Sequence, residues 1–195
     1  MKPFRVRFEV ARCRGRHCLI ERPSRMLDKP SSEPWLRGTH SDVPAVPRAV
    51  LHALELARED LERWCGQLSD EQLNFRPAHI APVAFHMRHI ARSLDRLLTY
   101  AEGASLNEAQ MAALKSESAA GATRGELFLE LSASLATSAT RVRRFSQIDL
   151  ESPRTVGRNL LVTTLGGLLV HVADHTQRHV GQAITTAKIL LAEEV

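Results

Sequence analysis

Nine histidines occur in this 195-residue chain, and five of them crowd into two stretches: His86 and His89 in one, His171, His175 and His179 in the other. Two overlapping His-x-x-x-His pairs arise in the second stretch. Chance placement of nine histidines gives about 0.4 such pairs, so the spacing is suggestive but weak evidence of a motif. On a helix, residues four apart share one face, and their imidazoles can chelate one ion. A pair at the edge of a buried face can point into a cleft between helices, where a metal is partly desolvated yet reachable by substrate; the alternative is a pair of surface or hydrogen-bonded core histidines.

Other chemistries are excluded by what surrounds these histidines. Thr176, Gln177 and Arg178 separate His175 from His179, so the glutamate base of a zinc-peptidase helix is missing. The residues three before His89, His175 and His179 are His86, Val172 and Thr176, so the Glu-x-x-His pairs of di-iron bundles are also missing. The chain contains no phosphate-binding glycine loop and no GxSxG. The cluster Cys13, His17, Cys18 lacks a second paired half of metal ligands.

Helices must position these groups. Val83, Met87, Ile90, Leu94, Leu97 and Ala101 trace one apolar stripe after Ala81-Pro82, and Gly103 supplies a stop. Leu165, Leu169, Val172, Thr176, Val180, Ala183, Ala187 and Leu190 or Leu191 trace another, capped by Thr163 or Thr164. On this last helix His175 and His179 lie at one flank of the stripe, and His171 turns further towards solvent. On the earlier helix His86 and His89 occupy the same flank, so phase does not choose between them.

Two further long helices are predicted. One runs from Pro44 or Pro47 to about Leu68, with Val50, Leu51, Leu54, Leu61 and Trp64 inward. The other runs from Arg124 to about Phe145, capped by Thr123, with Leu127, Leu131, Leu135 and Val142 inward. Short helical pieces are expected after Ser69 and from Asn107 to Ser116. Residues 147–163 read as a long loop with too little strand character to build a sheet. The expected fold is therefore all-α, a four-helix bundle over 44–192 with a short extra helix.

Residues 1–43 read as an irregular basic tail. Residues 1–40 hold ten Lys and Arg against four Asp and Glu, a net +6, so the rest of the chain carries −2 of the overall +4. The composition change makes Met26 a candidate start, with 1–25 not translated. Starting the chain at Met26 removes no strong apolar stripe, so folding is expected to survive the loss of 1–25. A net-negative body with few aromatics argues against a nucleic-acid binder. The longest stretch free of Asp, Glu, Lys and Arg, Asn159 to Ala173, is only 15 residues, too short to span a bilayer. An apolar region after the first basic residues is missing, so no signal peptide is expected, and three cysteines imply no disulfide framework; both favour the cytoplasm.

Two motifs resemble the DinB-like (damage-inducible-like) family of metal-binding four-helix bundles, which is unrelated to the polymerase sharing that name. Pro82-Val-Ala-Phe-His-Met-Arg-His89-Ile-Ala resembles the first, with Ala81 where a Trp is often found, and His175-Thr-Gln-Arg-His179-Val-Gly-Gln resembles the second. The resemblance covers about 44–192. It implies one divalent metal, variously nickel, zinc, iron or manganese, held by His89, His175 and His179. It also implies a small-molecule substrate, in some relatives a low-molecular-weight bacterial thiol, with transferase, isomerase or hydrolase activity. A non-catalytic metal- or ligand-binding bundle is the alternative, and a homodimer is compatible with either.

Four residues are candidates to hold a ligand in place or to line the pocket: His86, Gln182, Asp174 and Arg158. Asp95 is a further carboxylate candidate. Arg158 is a candidate to meet an anionic substrate at the bundle mouth, though a solvated Arg beside the turn glycine Gly157 is the favoured reading.

Overall fold

The computed structural model describes residues 32–192. Four long helices carry it: α1 (Ala45–Cys65), α3 (Val83–Ala101), α5 (Arg124–Arg143) and α6 (Leu165–Ala192). Two short ones, α2 (Asp70–Asn74) and α4 (Glu108–Lys115), sit in the connections. The long helices pack in the cyclic order α1, α6, α3, α5, so α3 lies between α6 and α5. This is the expected all-α bundle.

Local chemistry sets the ends. Ser69 and Gln72, Asn107 and Gln110, and Thr123 and Glu126 form capping boxes at the starts of α2, α4 and α5. Pro47 falls in the first turn of α1, where a missing N–H costs nothing. Thr164 caps α6 by accepting from the Gly167 amide at 3.1 Å. The stripes read from the sequence meet at the centre: Leu54, Leu61, Met87, Ile90, Leu94, Leu127, Leu131, Leu169, Val172 and Val180 are all buried.

The loop expected over 147–163 is corrected in part. Strands β1 (Pro153–Val156) and β2 (Leu161–Thr164) pair antiparallel, with Val156 opposite Leu161 and Pro153 opposite Thr164. The β-branched residues Thr155, Val156, Val162, Thr163 and Thr164 suit extended backbone. Gly157, with φ of 72°, supplies the left-handed conformation that the turn requires. The hairpin is anchored at its base, where Gly166 N–H donates to the Leu150 carbonyl at 2.8 Å and Leu165 N–H to that of Ser152 at 2.9 Å.

Residues 32–43 lie against α1. Pro34–Leu36 form a single 3₁₀ turn, and Val43 enters the core. Arg37 makes a two-pronged ion pair with Glu59, and His40 meets Glu55 at 2.7 Å. The proposed start at Met26 and the Cys13, His17, Cys18 cluster lie outside the described residues. No helix among the described residues is long and apolar enough to cross a membrane.

Leu94→Ala, at the fully buried centre of α3, should lower stability by about 2–5 kcal/mol, because the cavity it leaves can only partly collapse. Leu129→Ala, on the exposed face of α5, should stay within about 0.5 kcal/mol of the parent. Urea unfolding followed by circular dichroism compares the two.

Candidate metal centre

Packing of α3 against α6 brings His89, His175 and His179 together. One ring nitrogen from each lies within 4.8 Å of the others. Nε2 of His89 faces Nε2 of His175 at 3.2 Å. All three residues are half-buried, at the edge of the helix–helix seam where the sequence pattern placed the last pair. His171 is exposed, as its phase predicts, and among the described residues its ring contact is with His175.

His86 is one turn before His89 and 6% exposed. Its Nδ1 faces Nδ1 of His179 at 3.1 Å, so it abuts the trio without joining it. Phe85 stacks on the His89 ring, with centroids 5.4 Å apart.

Behind His89 stands a carboxylate that the sequence pattern did not reveal. Glu117, just beyond α4 and 5% exposed, accepts from Nδ1 of His89 at 2.7 Å and from Nη1 of Arg96 at 2.5 Å. Donation from Nδ1 leaves the lone pair of His89 on Nε2, the atom turned towards His175. Burial pushes the Glu117 carboxyl up, but hydrogen bonds from His89 and Arg96 outweigh it and hold the group below its ordinary range. Glu117 therefore stays ionised and keeps a negative charge against the trio.

The other candidates fall in different places. Asp174 is exposed and pairs with Arg178 one turn along, not with an imidazole. Asp95 accepts from Gln110 and Arg141, on the α4–α5 side of α3. Gln182 is exposed and lines a cavity that His86 also borders. Arg158 sits exposed in the hairpin turn, while His175 lies ten residues into α6, about 15 Å along its axis. The 157–160 turn closes the hairpin, and Arg158 is not among the residues gathered with the trio.

The cavity beside His86 has a volume of about 630 Å³. It runs between the segment before α3, at Ile80 and Ala81, and α6, at Arg178, Gly181 and Gln182. Ala78 and His79, with φ of 47° and 66°, precede its wall and hold left-handed conformations unusual for non-glycine residues.

A model of the DinB superfamily matches residues 53–183, a span holding the trio, His86 and Glu117. The chain belongs to the DinB superfamily. None of the curated proteins compared with it matches. The match covers α3, α5 and the hairpin, and it extends into α1 and α6.

Burial chiefly, then the neighbouring rings, hold three imidazoles of this DinB-superfamily protein far below their usual basicity. His86, His175 and His179 each fall to about 4, and Arg178 adds to the effect at His175 and His179. All three are thus neutral at pH 7, each with one N–H and one lone pair, and in the His86–His179 contact the N–H of one ring meets the lone pair of the other.

The same shifts predict acid sensitivity of chelator-treated protein. Their folded values are depressed, and the unfolded chain, with imidazoles near 6.5, binds more protons between about pH 6.5 and 4. Stability contributed by these neutral rings is complete above that window and is lost as pH falls through it. The urea midpoint should hold from about pH 8 to 7 and fall steadily from about 6.5 to 4.5. A flat profile across the window would refute the burial of neutral imidazoles.

Proposed function

We propose that His89, His175 and His179 bind one divalent metal ion, and that the protein is a metal-dependent enzyme acting on a small molecule. The convergence of the three rings carries this reading. Ligands about 2.0–2.1 Å from a tetrahedral metal stand about 3.3 Å apart. The 3.2 Å between the two Nε2 atoms of His89 and His175 suits that bite. Two neutral lone pairs pointed at each other at this distance repel unless a cation or a proton lies between them. Membership of the superfamily supports the same residues, and imidazole donors suit nickel, zinc, iron and manganese alike.

When bound, such an ion supplies Lewis acidity that can ionise a water or thiol, or polarise a carbonyl. The chain's own residues do the rest. Glu117 fixes the tautomer and orientation of His89, and its charge raises the donor strength of that ring. His86, neutral and bordering the cavity, accepts from Nδ1–H of His179 when that ring turns its Nε2 lone pair to a metal, and so orients the ligand. The cavity is bordered by His86, which abuts His179, so a small molecule held there lies one ring away from the trio. Thiol-dependent transfer or isomerisation with a low-molecular-weight thiol, or hydrolysis, fits this combination.

Elemental analysis of purified protein, paired with a screen against small thiols and hydrolysable esters and amides, tests the reading. About one ion per chain together with turnover supports it. One ion without turnover leaves the non-catalytic binding bundle.

Ligand assignment has a sharper test. His89→Ala should reduce metal stoichiometry steeply, because one of three ligands is gone. His86→Ala and Glu117→Gln should each weaken affinity by about 10–100-fold while retaining the site. If His86→Ala empties the site and His89→Ala keeps it, the ligand is one turn earlier on α3.

A further inference from the structure

The cavity beside the three histidines carries features that name its ligand. Gly181 lies in mid-helix with ordinary helical φ, where alanine is favoured. A Cβ built on it would meet nothing within 4 Å, so no neighbouring helix demands the missing side chain. The bare backbone keeps the cavity open.

Donors without protein partners surround that opening. Thr186 lines the cavity and is 2% exposed as a residue; its hydroxyl has no hydrogen-bond partner among the described residues but, since no solvent-buried side-chain oxygen or nitrogen there lacks one, the hydroxyl is open to the cavity. The Gln182 amide, also on the lining, has no partner either. Arg178 gives one Nη2 contact to Asp174, leaving most of its guanidinium fork unused. Arg178 and Gln182 are four residues apart on α6 and so share a face, with Thr186 four further on. The opposite wall, Ile80 and Ala81, is apolar.

We propose that this cavity binds a small aliphatic carboxylate. The acidic end meets the donors of Arg178, Gln182 and Thr186, and the hydrocarbon body lies over Gly181 against Ile80 and Ala81. Guanidinium is suited to a carboxylate through two parallel hydrogen bonds. The inference names a substrate class for the site in the preceding section, yet its geometry needs no metal.

The test uses straight-chain carboxylates of four to eight carbons, with amines and alcohols of equal length as controls. Each is titrated to about 10 mM into the isotope-labelled full chain, and amide shifts are read by NMR. Carboxylates should shift the amides around Ile80, Gly181 and Gln182, and the controls should not. Arg178→Gln should weaken carboxylate binding about 10-fold or more. Gly181→Leu should abolish it while the protein stays folded. Gly181→Ala serves as the folding control and should raise the melting temperature by about 2–4 °C. Equal binding of amines and carboxylates, undiminished binding in Arg178→Gln or Gly181→Leu, or no shift with any carboxylate overturns the proposal. Metal content measured on the same samples separates the two readings: carboxylate binding by protein that takes up no metal retains the cavity's ligand and removes the metal centre.

Discussion

The Glu117 carboxylate is the interaction on which the site depends. It is buried, and it is shared between the His89 ring and the Arg96 guanidinium. A buried carboxylate is costly unless paired, and breaking such a pair by removing one partner leaves the other charge uncompensated. Here the pairing also does something directional. The carboxylate accepts a hydrogen bond from Nδ1–H of His89 and so leaves the lone pair on Nε2, turned towards α6. Without it, the 3.2 Å approach of His89 to His175 would carry no fixed chemical sense.

That tie also explains why the short helix α4 matters. Its C-terminal end delivers Ser116 and Glu117 to the side of α3, and Arg92 secures the delivery by donating to the Ala113 carbonyl and the Ser116 hydroxyl, both at 2.9 Å. Arg92 also pairs with Glu130 of α5. Arginines at positions 92 and 96 of α3 thus fasten α4 and α5 on one side, while His86 and His89 meet α6 on the other. One helix carries both the fastening charges and two of the clustered imidazoles.

The balance between stability and chemistry is visible along α6. Its apolar stripe, from Leu165 through Val172 and Val180 to Leu190, packs without interruption. Its polar flank is spent differently. His175 and His179 give up solvation that makes them poor bases, and Gly181 forgoes the helix-favouring side chain where nothing would obstruct one. Ala78 and His79 hold left-handed backbone beside the same cavity. Local preferences are violated around this cavity and satisfied through the core, the pattern expected where a surface is shaped for something other than folding.

The sequence by itself determined the four long helices, the buried stripes and the site's general place at the edge of a helix seam. Each rests on a spacing of three and four or on a cap, and these act within a few neighbouring residues. The DinB motifs pointed to His89 over His86, a choice that helical phase left open. Only the tertiary structure decided what stands behind the rings. Glu117 lies 28 residues from His89, beyond a separate helix, and no periodicity relates the two. The placement of Asp174, Asp95 and Arg158 away from the trio was decided by an i,i+4 ion pair, a contact to α5 and a hairpin turn. The hairpin also required tertiary context, since four-residue strands are marginal alone and gain support from the start of α6. Side-chain partners distant in sequence are selected by how helices pack, and a single sequence records that packing only as hydrophobic faces.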